Sequence, residues 1–370
     1  MRKVPVSSLR PDMVIARPVY GADGQMFLNS GMVLKGPYIS SLVRLGVQAV
    51  YVEDPLLGDI VVSEVVKEET RQNTVKAIKD ILLDNKKIDK SKSSIVNKKF
   101  ISLAEKLVEE VLSNKEVIVN LSDIRITDDY TYYHSVNVCI ISLLAATGMK
   151  VAKGKLEELC IGALLHDMGK VWIDNRILNK NGSLTPEEFD EIKKHPGFGF
   201  DILSKQRDIS SLSSSIVIQH HERCDGNGYP GNLTKNQIHY FSRLVMVVDV
   251  YDALVSHRPY RPAFKPHEAI EMITSSADIY DPEMVQQVLN HIAAYPVGTA
   301  IRLSNGDLAL DVENRKSSPL RPLIRVCKDG DGSMYQHPFD IDLMDKLDLV
   351  ITDVLDDELR DKEIPITQIA

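Results

Sequence analysis

The chain has 370 residues, 44% of them apolar and 26% charged, with a net charge of -8 and a pI near 5.7. One hydrophobic core rarely organises a chain of this length, so two or three compact units are expected. The acidic balance excludes the broad basic face that duplex DNA requires, and no apolar run reaches the ~18 residues of a membrane span, so a cytoplasmic protein without an apolar leader is expected.

Residues 1–57 read as short strands broken by turns such as Tyr20-Gly-Ala-Asp-Gly24. A helix over Tyr38 to Leu45 follows, stopped by Gly46, and then a strand over Ala49 to Val52. This is a small α/β N-terminal domain with a regulatory or assembly role. Over 58–122, charged residues interleave with apolar ones at helical spacing, as in Val75, Ile78, Ile81 and Leu82 and again in Leu103, Leu107 and Val111. The lysine-rich stretch from Lys86 to Lys92 between them reads as a solvated loop. Two helices linking domains, with a surface for homodimer formation, are the expectation.

Residues 123–294 are helical almost throughout. Thr185-Pro186-Glu187-Glu188 supplies an N-cap, a proline in the first turn and a capping-box glutamate, and Asp281-Pro282-Glu283 repeats the cap and proline. Residues 295–370 return to strands, with Thr299 to Leu303 and Asp307 to Leu310 flanking the hairpin turn Ser304-Asn305-Gly306. The fold class is therefore mainly α: a helical-bundle domain with a small α/β N-terminal domain, a helical linker and a β-rich C-terminal extension. The cysteines, Cys139, Cys160, Cys224 and Cys327, are too irregularly spaced for a zinc knuckle or a disulfide framework. They read as small buried hydrophobes, with Cys224 set apart by its place beside two histidines.

Five of the ten histidines, His134, His166, His195, His220 and His221, fall in the helical segment, and Asp167 directly follows one of them. His166-Asp167 ends the apolar-periodic stretch Leu156, Leu159, Cys160, Ala163 and Leu164, with Gly169 expected to stop the helix. His134 opens the apolar helix Val136 to Met149, His220-His221 closes Ile216 to Ile218, and Asp249 lies between Val248 and Val250. Burying such groups costs several kcal/mol unless they are paired or hold a cation. Imidazoles with carboxylates suit divalent transition metals, and a site with more than one metal needs a bridging carboxylate, which Asp167 could supply. His239, His257, His267, His291 and His337 lack such company.

The order His134, His166-Asp167 with Lys170 three residues on, His195, His220-His221, Gly228-Tyr229-Pro230 and Asp249 resembles the HD-GYP branch of the HD phosphohydrolase superfamily. The segment His220-His221-Glu-Arg-Cys-Asp-Gly-Asn-Gly-Tyr-Pro230 is similar to that family's longest motif almost in full. The resemblance implies an HD-type helical bundle that hydrolyses cyclic di-GMP or a related cyclic dinucleotide. It implies one metal ion on His134, His166, Asp167 and Asp249 and a second on Asp167, His195, His220 and His221. Lys170 would contact the scissile phosphate, Tyr229 would shape the pocket, and Arg258 and Arg261 would bind phosphate. Asp252, one turn after Asp249, is read as facing the same side, as a substrate contact, as an anchor for a basic side chain or as a purely structural residue of the helix surface.

Some members of the branch carry a glutamate four residues before the first histidine, where it adds a third metal; Tyr130 stands there in this chain. Two divalent ions are therefore expected, iron or manganese ahead of zinc, nickel or cobalt. A hydroxide held between them would attack phosphorus in line, giving linear pGpG with slow onward cleavage to GMP at most. Two other readings compete: a cyclic dinucleotide receptor that binds without turnover, and another HD-type hydrolase acting on nucleoside triphosphates or alarmones. The Gly-Tyr-Pro loop and the double histidine disfavour the last.

Overall fold

The computed structural model describes residues 1–20, 26–47, 49–58, 60, 62–85, 96–119, 130–180, 182–256, 263–316 and 318–355. Two compact units emerge: Met1–Val62 with the residues from Ala293 on, and Ser63–Val119 with Asp129–Ile292. The terminal segments, expected as separate domains, thus share a unit, and the expected linker lies in the helical one.

In the first unit, β1 (Arg2–Pro5) is followed by β2 (Val19–Tyr20), β3 (Met26–Leu28), α1 (Gly36–Arg44) and β4 (Ala49–Val52). β4 pairs antiparallel with β1, placing Val4 opposite Val50. Helix α1 starts two residues earlier than the sequence suggests because Pro37 fits its first turn, and Gly46, at φ +71°, turns the chain out of it. Val4, Ile15, Val19, Leu34, Leu42 and Val50 form the core here.

The C-terminal strands of this unit form an antiparallel sheet in the order β8-β7-β6-β5-β9, with β5 (Ala300–Leu303), β6 (Leu308–Glu313), β7 (Leu323–Lys328), β8 (Met334–Asp342) and β9 (Ile351–Leu355). The Ser304-Asn305-Gly306 turn joins β5 to β6 as expected, with Gly306 at φ +92°. Leu57 packs among Leu308, Leu310, Val312 and Cys327, and Arg325 Nη1 donates to the Leu56 carbonyl at 2.8 Å.

In the helical unit, α2 (Glu68–Asn85) and α3 (Lys98–Ser113) are integral to the bundle. α2 packs on α3 and α4 (Tyr130–Gly148), and α3 on α4 and α5 (Lys153–Leu165). Each buries an apolar stripe, Val75, Ile78, Ile81 and Leu82 on α2 and Phe100, Ala104, Leu107, Val108 and Val111 on α3. Interleaved charges describe a helix lying on a core as well as one spanning a gap, which is why the sequence suggested a linker. The bundle continues through α6 (Asn175–Leu178), α7 (Pro186–Ile192), α8 (His195–Leu203), α9 (Ser211–Gln219), α10 (Tyr240–Val255), α11 (Pro266–Thr274) and α12 (Pro282–Leu289).

Thr185 forms the expected capping box with Glu188, and Asp281 caps α12 through the Glu283 N–H; each such cap contributes about 1 kcal/mol. Every residue of α5 from Leu159 to Leu165 is buried, and α10 is buried from Leu244 to Asp249. Helices apolar on all sides belong at the centre of a bundle. These central helices carry the polar side chains described next. Among the described residues, no helix is long and apolar enough to cross a membrane.

Candidate metal centre

Five segments far apart in sequence deliver imidazoles and carboxylates to one place inside the helical unit. His134 lies one turn into α4, Asp249 within α10, His166 at the C-cap of α5 with Asp167 next, His195 at the start of α8, and His220-His221 directly after α9. α4 starts at Tyr130, a turn earlier than the apolar run suggested. Gly169 does not stop α5, which ends at Leu165. A Cβ on Gly169 would fall 1.9 Å from the carbonyl oxygen of His195, so the glycine lets α8 reach the turn after Asp167.

The two oxygens of Asp167 face different donors. Oδ2 lies 3.5 Å from His166 Nε2 and 3.8 Å from His134 Nε2, whereas Oδ1 lies 3.4 Å from His195 Nε2 and 3.8 Å from His220 Nε2. Asp249 Oδ1 sits 3.0 Å from His134 Nε2 and 3.9 Å from His166 Nε2, and its Oδ2 is 3.8 Å from His221 Nδ1. Ligand atoms of Asp167, His195, His220 and His221 all fall within 4.8 Å of one another, as do those of His134, His166 and Asp167. All seven side chains that the sequence analysis singled out as ligands therefore meet.

The outer nitrogens fix the tautomers. Nδ1 of His166, His195 and His220 lies 2.7, 2.8 and 2.8 Å from the carbonyl oxygens of Ala163, Ile192 and Val217. A carbonyl only accepts, so each Nδ1 carries the proton and each Nε2 turns a lone pair inward. His134 reaches the same state by donating from Nδ1 to Asp252 Oδ2 at 2.7 Å. His195 and His220 then set two lone pairs 3.2 Å apart, and His166 Nε2 and Asp167 Oδ1 are buried without a hydrogen-bond partner. Inward lone pairs on buried nitrogens and carboxylates repel one another until a cation lies between them. The His/Asp cluster fits divalent metal ions.

Electrostatics point the same way. Burial pushes the carboxyl of Asp167 up, but the Lys170 ammonium beside it outweighs this and holds it well below the usual carboxylate range. Burial lowers His195 and His220 and brings His221 to about 3, so these rings stay neutral, the state that ligates metals.

An acid lability follows for the metal-free protein. In the unfolded chain these histidines take up protons near pH 6.5, whereas His221 resists until about 3 in the fold. Their contribution to stability is complete above about pH 6.5 and is lost as the pH falls toward about 3. The urea midpoint should fall steadily between about pH 7 and about pH 5; a flat midpoint there contradicts neutral buried histidines.

Lys170, half-buried, places Nζ 2.6 Å from Asp167 Oδ2 at the edge of the cluster. The Tyr229 ring lies 4.8 Å from the His221 ring, and Phe189 meets Tyr229 edge-on at 6.4 Å. Asp252 corrects the sequence reading: it is fully buried and bonded to His134, so it supports a metal-ligand candidate and cannot contact substrate. One helical turn past Asp249 points it beneath the cluster, toward α4. Arg258 and Arg261 lie outside the described residues. Cys224 contributes to none of the ligand groups found among the described residues; its backbone N–H donates to the Ile279 carbonyl and burial pushes its thiol up.

Glu222 directly follows His220-His221 and carries no expected ligand role. It is 1% exposed, and its carboxylate accepts from the N–H groups of Gly231 at 2.6 Å and Leu233 at 2.8 Å. The loop carrying Tyr229 is folded around it, so closely that a Cβ on Gly228 would lie 2.4 Å from the Glu222 Cα. Glu222→Gln turns one acceptor into a donor facing a donor, and should lower stability by about 1–3 kcal/mol. Amide exchange at Gly231 and Leu233 should quicken; unchanged exchange at both would remove Glu222 as the clamp.

Residues 106–284 match the model of the HD domain, and residues 300–362 that of a KOW domain associated with HD domain. A cyclic di-GMP phosphodiesterase of Pseudomonas aeruginosa is 35% identical over 224 residues, covering 60% of this chain and 54% of the relative. A cyclic di-GMP phosphodiesterase of Thermotoga maritima is 39% identical over 202 residues, covering 52% and 54%. The chain thus spans about half the length of each relative. Among solved structures, an HDG"Y"P protein from Bdellovibrio bacteriovorus superposes with a TM-score of 0.52 at 19% identity, over 77% of this chain and 97% of the other, a likeness of fold.

Proposed function

Residues 106–284 match the HD domain, and from that premise we propose that the chain is a metal-dependent phosphodiesterase of the HD domain family opening cyclic di-GMP to linear pGpG. The observation that carries the proposal is Asp167, whose two oxygens face two separate sets of imidazoles. The names of the two relatives support the substrate class, and Gly228-Tyr229-Pro230 supports the HD-GYP branch.

His134, His166 and Asp249 would hold one divalent ion and His195, His220 and His221 the other, with Asp167 shared. Such ions supply Lewis-acid stabilisation of phosphate charge and ionise water near neutral pH. Iron or manganese suits this mixture of imidazole and carboxylate. Tyr130, four residues before His134, offers no third-metal carboxylate, which favours two ions and a reaction that stops at pGpG.

The residues of the chain divide the remaining work. Lys170 places an ammonium where a non-bridging phosphate oxygen would approach Asp167, and charge that builds there in the transition state is met without reorganisation. Tyr229, Phe189 and His221 form an aromatic wall suited to a nucleobase face. Arg258 and Arg261 are proposed as further phosphate contacts. The segments outside the helical unit are proposed to serve input or assembly, and the outer faces of α2 and α3 to pair two copies; a monomeric mass in solution scattering would reject the pairing.

The test is to incubate anaerobically prepared, iron- or manganese-loaded protein with cyclic di-GMP and separate the products. Accumulation of pGpG is expected. Binding without product with either metal would overturn the enzyme reading in favour of a receptor, and turnover confined to nucleoside triphosphates or alarmones would move the chain to another HD-type activity.

A further inference from the structure

The support behind His134 does not end at Asp252. Asp252 Oδ1 accepts from Asn137 Nδ2 at 3.2 Å, and Asn137 Oδ1 accepts from Arg71 Nη1 at 2.7 Å. Asn137 is 2% exposed and the side chain of Arg71 is 13% exposed, so the chain of bonds runs from α2 through α4 to α10 almost free of water. We infer that Arg71, acting through Asn137 and Asp252, is a positioning residue for the metal ligand His134. The inference rests on the metal-centre reading above.

Donor and acceptor inventories give the chain its direction. A guanidinium has donors only, so it draws the Asn137 oxygen to itself and leaves the Asn137 NH2 group facing Asp252. A carboxylate only accepts, so Asp252 takes both that NH2 and the Nδ1 proton of His134. His134 is thereby left with its lone pair on Nε2, aimed at Asp249 and Asp167. Without Arg71 the Asn137 amide is free to turn, and its oxygen would then face the Asp252 carboxylate and repel it. Ser256, which caps the C-terminal end of α10 and whose Oγ lies 3.4 Å from Asp252 Oδ2, steadies the same carboxylate. Among the four inward histidines whose Nδ1 partners are described above, His134 is the one oriented by a side chain, and so the one that a distant substitution can reach.

The test uses the full chain and measures Mn2+ affinity by competition with a fluorescent chelator. Asp252→Asn should weaken binding of the more sensitive ion by about 10–100-fold, the usual loss when an outer partner of a ligand histidine is removed. Arg71→Met should weaken it by about 10-fold and Arg71→Lys by less. The Arg71→Met, Asp252→Asn double variant should bind no more weakly than Asp252→Asn alone, because both act through one path.

Gln72→Ala serves as the control for helix packing. It removes the neighbouring Tyr133 Oη to Gln72 Oε1 bond of 3.0 Å, a contact between the same two helices outside the chain of bonds, and should leave affinity unchanged. Wild-type affinity in Arg71→Met, additive losses in the double variant, or an equal loss in Gln72→Ala would each overturn the inference while leaving the metal centre intact. A wild-type chain that takes up no Mn2+ would overturn both.

Discussion

Asp167→Asn is expected to empty the centre of both ions and to lower turnover of cyclic di-GMP by about 10^3-fold or more. The substitution keeps the size of the side chain but replaces one oxygen with an NH2 group. Whichever way the amide turns, one set of imidazoles, His134 with His166 or His195 with His220, then faces a donor. The amide also removes the negative charge that would offset divalent cations in a buried site, where that charge is screened least. Asp249 also turns one oxygen to His134 and His166 and the other to His221, but Asp167 alone among the described carboxylates has an oxygen within 3.8 Å of both His195 and His220. The checks are metal per chain and steady-state rate. A variant that keeps two ions and wild-type turnover removes Asp167 as the bridge.

Lys170→Met is expected to behave differently, keeping both ions while lowering kcat by about 10^2–10^3-fold, with a smaller change in KM. Methionine preserves most of the side-chain length without the ammonium, so the loss reports charge rather than packing. Lys170 is three residues from Asp167, and the tight turn between them brings Nζ to 2.6 Å from the carboxylate. A group that only neutralised Asp167 would alter metal affinity when removed and leave kcat of the loaded protein alone. Loss of metal with unchanged kcat under saturating Mn2+ would assign Lys170 that lesser part.

The members of the His/Asp cluster were legible in the sequence because they are conspicuous where they stand: Asp249 between valines, His166-Asp167 at the end of an apolar run, two adjacent histidines closing another. Residues whose function needs only their own chemistry in an apolar setting announce themselves. Asp252 did not, because helical periodicity gives the side a residue faces but not how deep it lies. The path from Arg71 was hidden for another reason: its bonds join residues 66 and 115 positions apart, and each residue taken alone suits an ordinary helix surface. Glu222 stood in plain view inside the motif, yet a carboxylate that holds backbone N–H groups is indistinguishable in sequence from one that holds a metal.

The fold divides similarly. Caps and hairpin turns follow local rules, so Thr185, Asp281 and Gly306 were read correctly. Gly169 was misread because a glycine that ends a helix and a glycine that admits a neighbouring carbonyl leave the same mark in the sequence. The placing of α2 and α3 in the bundle depends on what their apolar stripes meet, which no local pattern specifies.

A centre of two metal ions bridged by Asp167 is checked by elemental analysis of protein purified without oxygen. Two equivalents of iron or manganese per chain in the wild type, falling below one in Asp167→Asn, is the predicted result. A single equivalent in the wild type, or none after reconstitution with either metal, would contradict it.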